Sequence, residues 1–519
     1  MQGKHNAISK SSLFKGYFDP IKLLSYDEKS EAIVLESADV VTKLGEKSIA
    51  LLDLALSIEA RNNEITLSLL MEEARPLLLH VAQLFSEQLR EQHQDRLIIR
   101  MESLSLESDL LKKLRAPSAL DILRAIKKAI VLEDHKNDEA LMLSGVFAYD
   151  FLDHFENLPE AKKDELTLPD FLFYVPLTVV VMDHPKLETC ITAHALISEQ
   201  KDEEERAFKR LKRVKSYIES VMSDQKKELT PPAVYPLDKK SYAIDVPDQE
   251  FGHLIERCQE HIKAGDVYQI VPSRTFSRPI KDPMRSYEAL RRMNPSPYMF
   301  YLRTKEWTLF GASPETFIKV DQKGTCVSVR PIAGTRRRGL NAHGQIDVEL
   351  DSREQASLCL DEKELAEHMM LVDLARNDIA SVAKEQSRRI KRLLGVDRFS
   401  HVMHLVSEVE GTLKDGFDAL SAYQASMNMG TLMGAPKVRA AELLRQLERT
   451  KRGFYGGAVG YINAVGDMDT AIIIRSAVVK DGKAYVRAGC GVVYDSNVAF
   501  EVQETINKAE AVLKAMELA

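Results

Sequence analysis

Cysteine is scarce in this chain. Five are scattered through 519 residues (Cys190, Cys258, Cys326, Cys359 and Cys490), an odd number with no C-x-x-C pair, which argues against a disulfide framework and predicts reduced thiols. None stands in a G-x-C-x-G elbow, so no thiol nucleophile for glutamine hydrolysis is visible. His401 and His404 lack the H-E-x-x-H frame of a helical zinc site. No apolar run reaches membrane-spanning length, and Met1 to Lys10 has no apolar core of the kind a signal peptide needs; a cytoplasmic protein with no membrane partner is expected. Positive charge is not in excess either. With 71 Lys and Arg against 78 Asp and Glu, the net charge is -7, which argues against a nucleic-acid partner. No internal repeat or low-complexity tract stands out.

What is present is a large apolar fraction, 45%, enough for a sizeable core divided among roughly two to four domains. The N-terminal part, taken as 15–200, mixes strand patterns at Ile49 to Ile58, Ile65 to Leu69 and Phe171 to Met182 with a helix from Ser118 to about Ile130. A helical pattern and polar linker occupy 201–245, ending in Pro231-Pro232 and beyond. The remainder, 246–519, opens with a helix closed at Gly265 and a strand from Val267 to Ser273. It later carries strands Gly457 to Asn463, Thr470 to Val479 and Ala484 to Val493, joined by turn signals at Gly466-Asp467 and Asp481-Gly482. This order predicts an α+β fold: a large, mostly antiparallel, sandwich-like sheet structure with flanking helices and a ligand crevice between layers.

The strongest chemical pattern is a pair of glutamate doublets at helical spacing, Glu364 with Glu367 and Glu501 with Glu504. Residues three apart share a helix face. Each doublet is either a solvated face or half of a site in which clustered carboxylates need a hard dication such as Mg²⁺. Leu365, Met369, Val372 and Ala375 form the apolar stripe of the first helix, and Lys508 stands four residues beyond Glu504. That lysine is either a helical ion-pair partner or a contact for a substrate carboxylate.

A series of motifs, Gly265-Asp-Val-Tyr-Gln-Ile-Val-Pro-Ser-Arg274, Asn294-Pro-Ser-Pro-Tyr-Met299, Phe310-Gly-Ala-Ser-Pro-Glu315, Pro331-Ile-Ala-Gly-Thr-Arg336, Leu371-Val-Asp-Leu-Ala-Arg-Asn-Asp378, Val402-Met-His-Leu-Val406, Met429-Gly-Thr-Leu-Met-Gly-Ala-Pro-Lys437 and Tyr455-Gly-Gly-Ala-Val-Gly460, resembles the chorismate-utilising enzymes. The resemblance runs from about residue 245 to the end. Leu35-Glu-Ser37 and Gly145-Val-Phe-Ala-Tyr-Asp150 carry it into the N-terminal part, toward the anthranilate-forming branch of that family.

The resemblance implies Mg²⁺ as cofactor, held by Glu367 and Glu504 with Glu364 and Glu501 in support. Chorismate contacts are implied at Gly334, Thr335, Tyr455, Arg475, Gly489, Gly491 and Lys508. Arg475 is also a lone charge among isoleucines, costly without an anion. Glu315 resembles the acid that helps the C4 hydroxyl depart, and His404 a group acting near that hydroxyl and in pyruvate elimination; a cap glutamate and a core histidine are the plainer readings. Thr431 and the helix start at Gly434 to Lys437 suit a carboxylate or simple capping.

Two positions separate the family's branches. Relatives that activate water carry lysine where this chain has Gln269, and relatives that form a covalent adduct often carry lysine at Ala333, so ammonia is the implied nucleophile. A separate glutamine amidotransferase subunit, in a heterotetramer of two of each, is the implied source. Met433, Cys490 and Arg337 depart from the usual pattern. An L-tryptophan site is implied at Glu36, Ser37, Pro297, Tyr298 and Met299. The alternatives are the aminodeoxychorismate-forming branch and a catalytically silent tryptophan sensor.

Overall fold

The computed structural model describes residues 5–16, 18–28, 30–37, 47–104, 107, 109–132, 138–161, 166–196, 202–223, 242–341, 345–398 and 402–519. Most of the expected linker, 224–241, lies outside the described residues, as does His401.

Two long strands, Lys47–Arg61 and Phe171–Asp183, pair antiparallel and form the spine of the molecule. Both are dense in Val, Leu, Ile and Phe, which fit a pleated, buried surface. Their ladder breaks at one place: the register shifts between Leu54 and Leu56, Leu54 faces Pro176, and Asp53 takes φ +50°. Proline has no N–H for the ladder, and the extra residue bends the strand. The bend lets one strand pair serve two sheet layers.

In the first layer, Ala32–Glu36 pairs with the spine and then with Tyr298–Arg303. The ladder continues through Thr308–Ser313, Ser476–Lys480, Lys483–Gly489 and Ser273–Pro279. In the second, Met142–Phe147 pairs with the spine and then with Ala458–Asn463, followed by Met468–Ile472, Thr316–Asp321, Cys326–Val329 and Val402–Thr412. Each layer therefore starts on N-terminal strands and is completed by C-terminal ones.

Alternation along the strands sorts their side chains between faces. Ile33, Leu51, Phe300 and Leu309 of the first layer meet Val146, Leu172, Val459 and Ala471 of the second. On the outer side of the first layer, Val34, Met299 and Tyr301 pack with Leu211 and Val214 of helix Glu203–Ser223 and with Ile506 and Val512 of helix Val498–Glu517. Helices Leu120–Ala129, Glu362–Val382 and Lys437–Leu447 cover the second layer. The expected α+β sandwich with flanking helices is the observed architecture.

Three expected strands are cut differently. Thr470 to Val479 is two strands, Met468–Ile472 in the second layer and Ser476–Lys480 in the first, because the chain changes layer between them and Arg475 takes φ +49°. Ala484 to Val493 ends at Gly489. Val267 to Ser273 shrinks to Gln269–Ile270, which pairs with Gly434–Ala435 in a separate two-stranded sheet. On helix Glu362–Val382, Met369 is exposed and the buried face runs instead through His368, Leu371, Val372, Ala375 and Ile379. Among the described residues no helix is long and apolar enough to cross a membrane.

Candidate active site at two layer crossings

Two crossings between the layers lie side by side. Ser313-Pro314-Glu315 joins Thr308–Ser313 to Thr316–Asp321, and Ile473-Ile474-Arg475 joins Met468–Ile472 to Ser476–Lys480. Ile472 N–H donates to the Glu315 carbonyl at 3.0 Å, and Ala312 N–H donates to the Arg475 carbonyl at 3.1 Å. Strand pairing thus stops on both segments at one level, leaving a buried acid and a half-buried cation where a continuous sheet would carry apolar residues.

Glu315 follows a strand and caps no helix. Burial pushes its carboxyl up to about 7, although the Thr431 hydroxyl, which donates to Oε1 at 2.9 Å, and the charge of Lys508 pull the other way. Thr431 is in the short helix Gly430–Met433, whose end leads into the Gly434–Ala435 strand beside Gln269. Gln269 Oε1 is buried with no hydrogen-bond partner, and its Nε2 is 3.0 Å from where a Cβ on Gly491 would stand. A side chain at Gly489 would come within 2.7 Å of the Pro272 carbonyl and 3.0 Å of the Tyr455 hydroxyl. Burial raises Tyr455 to about 12, so its hydroxyl keeps its proton.

The carboxylates come from two helices. Ser496 Oγ donates to Glu501 Oε1 at 2.9 Å, while Glu501 Oε2 is buried with no partner. Burial and the adjacent Glu504 carboxylate push Glu501 up to about 7. Glu504 is held below its ordinary range in spite of burial, by Lys508 at 3.1 Å, by Glu501 and by Arg475. Glu367 is raised by burial and by the charges of Glu364 and Glu504, with Lys363 at 3.7 Å opposing. Glu364 accepts from Arg336 at 3.2 Å and stands 3.1 Å from a Cβ on Gly334, whose φ of +66° suits glycine. Both doublets therefore meet in one place, Glu367 within electrostatic reach of Glu504.

His404 closes the ring. Its Nδ1 lies 3.1 Å from the Gly334 carbonyl and 3.0 Å from the Thr335 hydroxyl, and burial lowers its pKa, with Arg475 adding to the effect. The imidazole is accordingly neutral near pH 7 and can accept a proton. Burial also lowers Arg475, which Glu504 and Tyr455 partly offset. Lys508 is the helical partner of Glu504 and in addition donates to the Gly489 carbonyl at 3.0 Å.

The expected catalytic, substrate and carboxylate positions thus form one connected neighbourhood at the crossings. Sequence reasoning missed Arg336, Lys363 and Ser496. Arg336 ends the Pro331 to Arg336 motif and Lys363 stands four residues before Glu367, so both carried a readable signal; Ser496 carried none. Lys437 does not face this site: its ammonium binds buried Asp378 at 2.7 Å and the Ser426 carbonyl at 2.9 Å. Met433 and Cys490 are buried beside the site segments, and Arg337 is exposed.

The five positions expected to hold tryptophan lie where the halves join. Glu36 pairs in register with Met299. Its carboxylate already accepts from the Tyr287 hydroxyl at 2.6 Å and Arg291 Nη2 at 2.7 Å, two residues the sequence did not point to. Tyr298 and Met299 do not share a face. Successive strand residues alternate, and the Tyr298 hydroxyl bonds Thr316 at 3.0 Å and Asp469 at 3.1 Å while Met299 packs in the outer core. Pro297 is buried, and Ser37 follows directly on the Ala32–Glu36 strand.

A two-layer sheet that gathers a buried carboxyl, an imidazole, two cations and four carboxylates near its crossings has the groups an enzyme site needs. The profile of the chorismate binding enzymes matches residues 81–514, and the chain belongs to that family. Among its relatives, anthranilate synthase component 1 of Vibrio cholerae serotype O1 is 42% identical over 491 residues, covering 94% of this chain and 92% of the relative. The protein of the same name from Escherichia coli K12 is also 42% identical over 491 residues, with the same shares. The crystal structure of anthranilate synthase component I from Streptococcus pneumoniae TIGR4 superposes with a TM-score of 0.67 at 29% identity, covering 90% of this chain and 92% of that one.

Proposed function

We propose that this chain carries out the chemistry of an anthranilate synthase, converting chorismate and ammonia to anthranilate, pyruvate and water in the tryptophan branch of aromatic biosynthesis. The observation that carries the reading is buried Glu315, held by the hydroxyl of half-buried Thr431, whose short helix leads into the strand paired with Gln269. Arg475, Lys508, Tyr455, Thr335 and the backbone about Gly334, Gly489 and Gly491 hold the two carboxylates and the ring. Ammonia adds at C2 and gives up a proton, both ring double bonds move one position toward C4, and the C4 hydroxyl takes the Glu315 proton and leaves as water. Neutral His404, beside Gly334 and Thr335, serves proton transfer. Loss of the C2 proton then breaks the C3–O bond and leaves the aromatic ring, and protonation of the departing enolpyruvyl methylene carbon gives pyruvate. Gln269 offers no basic amine for activating water, and Ala333 no nucleophile.

The carboxylates fit Mg²⁺. Their donor set is oxygen only, one buried oxygen of Glu501 has no partner, and mutual repulsion raises Glu367. Among the described residues no three His, Cys, Asp or Glu groups form a closed metal cluster, but Mg²⁺ binds through one or two carboxylates plus water and substrate. Glu367 and Glu504 would hold the ion and Glu364 and Glu501 support it through water. Bound there, it supplies charge neutralisation for a substrate carboxylate.

The five cysteines are free and none is placed to hydrolyse glutamine, so ammonia comes from a glutamine amidotransferase subunit, in a heterotetramer of two of each. L-tryptophan is the inhibitor we assign to the junction at Glu36, Ser37, Pro297 and Met299, with Tyr298 reaching the opposite layer.

The test is to incubate the purified chain with chorismate, Mg²⁺ and ammonium at alkaline pH. Anthranilate, identified by mass and fluorescence, is expected with ammonium and not with glutamine alone. An aminodeoxychorismate or isochorismate product would overturn the assignment.

A further inference from the structure

Behind the candidate site, Arg452 is buried to 5% exposure and donates from all three guanidinium nitrogens. Nη1 donates to the Leu432 carbonyl at 2.6 Å, Nη2 to the Val271 carbonyl at 2.6 Å and to Glu448 Oε1 at 2.6 Å, and Nε to Glu448 Oε2 at 2.9 Å. The guanidinium carbon is 4.5 Å from the centroid of the Tyr149 ring and 5.9 Å from that of Tyr455. Glu448, also buried, accepts from Ser273 N–H at 2.9 Å, Ser273 Oγ at 2.8 Å and Arg487 Nη2 at 2.9 Å.

The two carbonyls belong to different parts of the site. Val271 is two residues after Gln269, and Leu432 follows Thr431, whose hydroxyl holds Glu315. A guanidinium offers its donors in one rigid plane, so the bonds to these segments cannot lengthen independently. Buried ion pairs are poor sources of stability, since desolvation offsets their attraction, but they can specify one arrangement over others.

We propose that Arg452, held by Glu448, is a positioning residue that sets the separation between the Gln269 segment and the Thr431–Glu315 pair. It fixes the distance between the side from which ammonia attacks and the side on which the hydroxyl departs. This inference rests on the chorismate–ammonia reading above.

The test compares full-length Arg452→Lys and Arg452→Met with wild type in the ammonia assay, with rates expressed per folded molecule. Lysine keeps the charge without the fork; methionine removes both. Arg452→Lys is expected to lose on the order of 10²-fold in kcat while KM for chorismate stays within about threefold, and Arg452→Met to lose more. Arg124→Lys is the control, since that guanidinium holds Asp418 at 2.9 Å away from the site; it should lower the melting temperature and leave kcat per folded molecule unchanged. Arg487→Lys loosens Glu448 from the other side and should lower kcat in the same direction by less, which keeps the test open should Arg452→Lys not fold. Unchanged kcat per folded molecule in Arg452→Lys, or in Arg487→Lys when it alone folds, overturns the positioning role. A wild-type chain that makes no anthranilate overturns the underlying reaction first.

Discussion

Glu315 owes its chemistry to where it sits. A carboxyl on a solvated loop ionises well below neutrality, whereas burial at the layer crossing raises this one to about 7. A general acid works only while protonated, so kcat should fall as pH rises above about 7 when free ammonia is held constant. Glu315→Gln should lose ~10²- to 10⁴-fold and lose that limb of the profile. The Thr431 hydrogen bond lowers the Glu315 pKa, so Thr431→Val should move the same limb to higher pH; an unmoved limb would show that another group titrates there. Glu504 tests the metal. Its ion pair with Lys508 is partly exposed and contributes little to stability, so Glu504→Gln should leave the melting temperature near wild type while raising the Mg²⁺ concentration for half-maximal activity and removing most turnover. Full wild-type activity in EDTA would sink the metal assignment.

At the scale of elements, the helices were legible and the strand ends were not. That Glu364 shares a helix face with Glu367, and Glu501 with Glu504, was legible from spacing, because a helix face is set by local periodicity. The break between Ile472 and Ser476 was not legible: Ile473 and Ile474 prolong the apolar pattern, and only the neighbouring crossing at Glu315 shows that the chain leaves one layer for the other. Packing between strands is equally non-local. A Cβ on Gly145 would stand 1.9 Å from the Leu172 carbonyl, in the pairing that carries the second layer from the spine to Ala458–Asn463. Backbone cannot yield as a side-chain tip does, so Gly145→Ala should destabilise by roughly 1–3 kcal/mol or more, seen as a lower melting temperature in a thermal scan. A melt indistinguishable from wild type would mean that the strands have room to part.

For the whole molecule, the consequence of a shared spine is that neither half completes a layer alone. The junction at Glu36 and Met299 joins the first layer's N-terminal strands to its C-terminal ones, and Tyr298, next to it, bonds Thr316 beside Glu315. A ligand held at that junction shifts activity only if it prefers one arrangement of the layers over another. L-tryptophan should therefore inhibit wild type, and Ser37→Phe, which fills the junction, should relieve inhibition with most uninhibited turnover retained. Equal inhibition of both by the same tryptophan concentration would remove the ligand from this place.

Residue type and local period were enough to place the carboxylate doublets on helices and to mark Arg475 as a cation in need of an anion. The ordered motifs from Gly265 to Tyr455 were enough for the family. These are properties of short stretches, and short stretches encode face, charge and backbone preference. Which doublet meets which, that Thr431 holds Glu315, that Arg336 and Ser496 steady Glu364 and Glu501, and that Tyr298 and Met299 part to opposite faces depended on pairings between residues far apart in the chain. Those pairings were decided by the bend at Asp53 and Pro176, where one strand pair divides between two layers and so brings the two crossings, and the groups they carry, together.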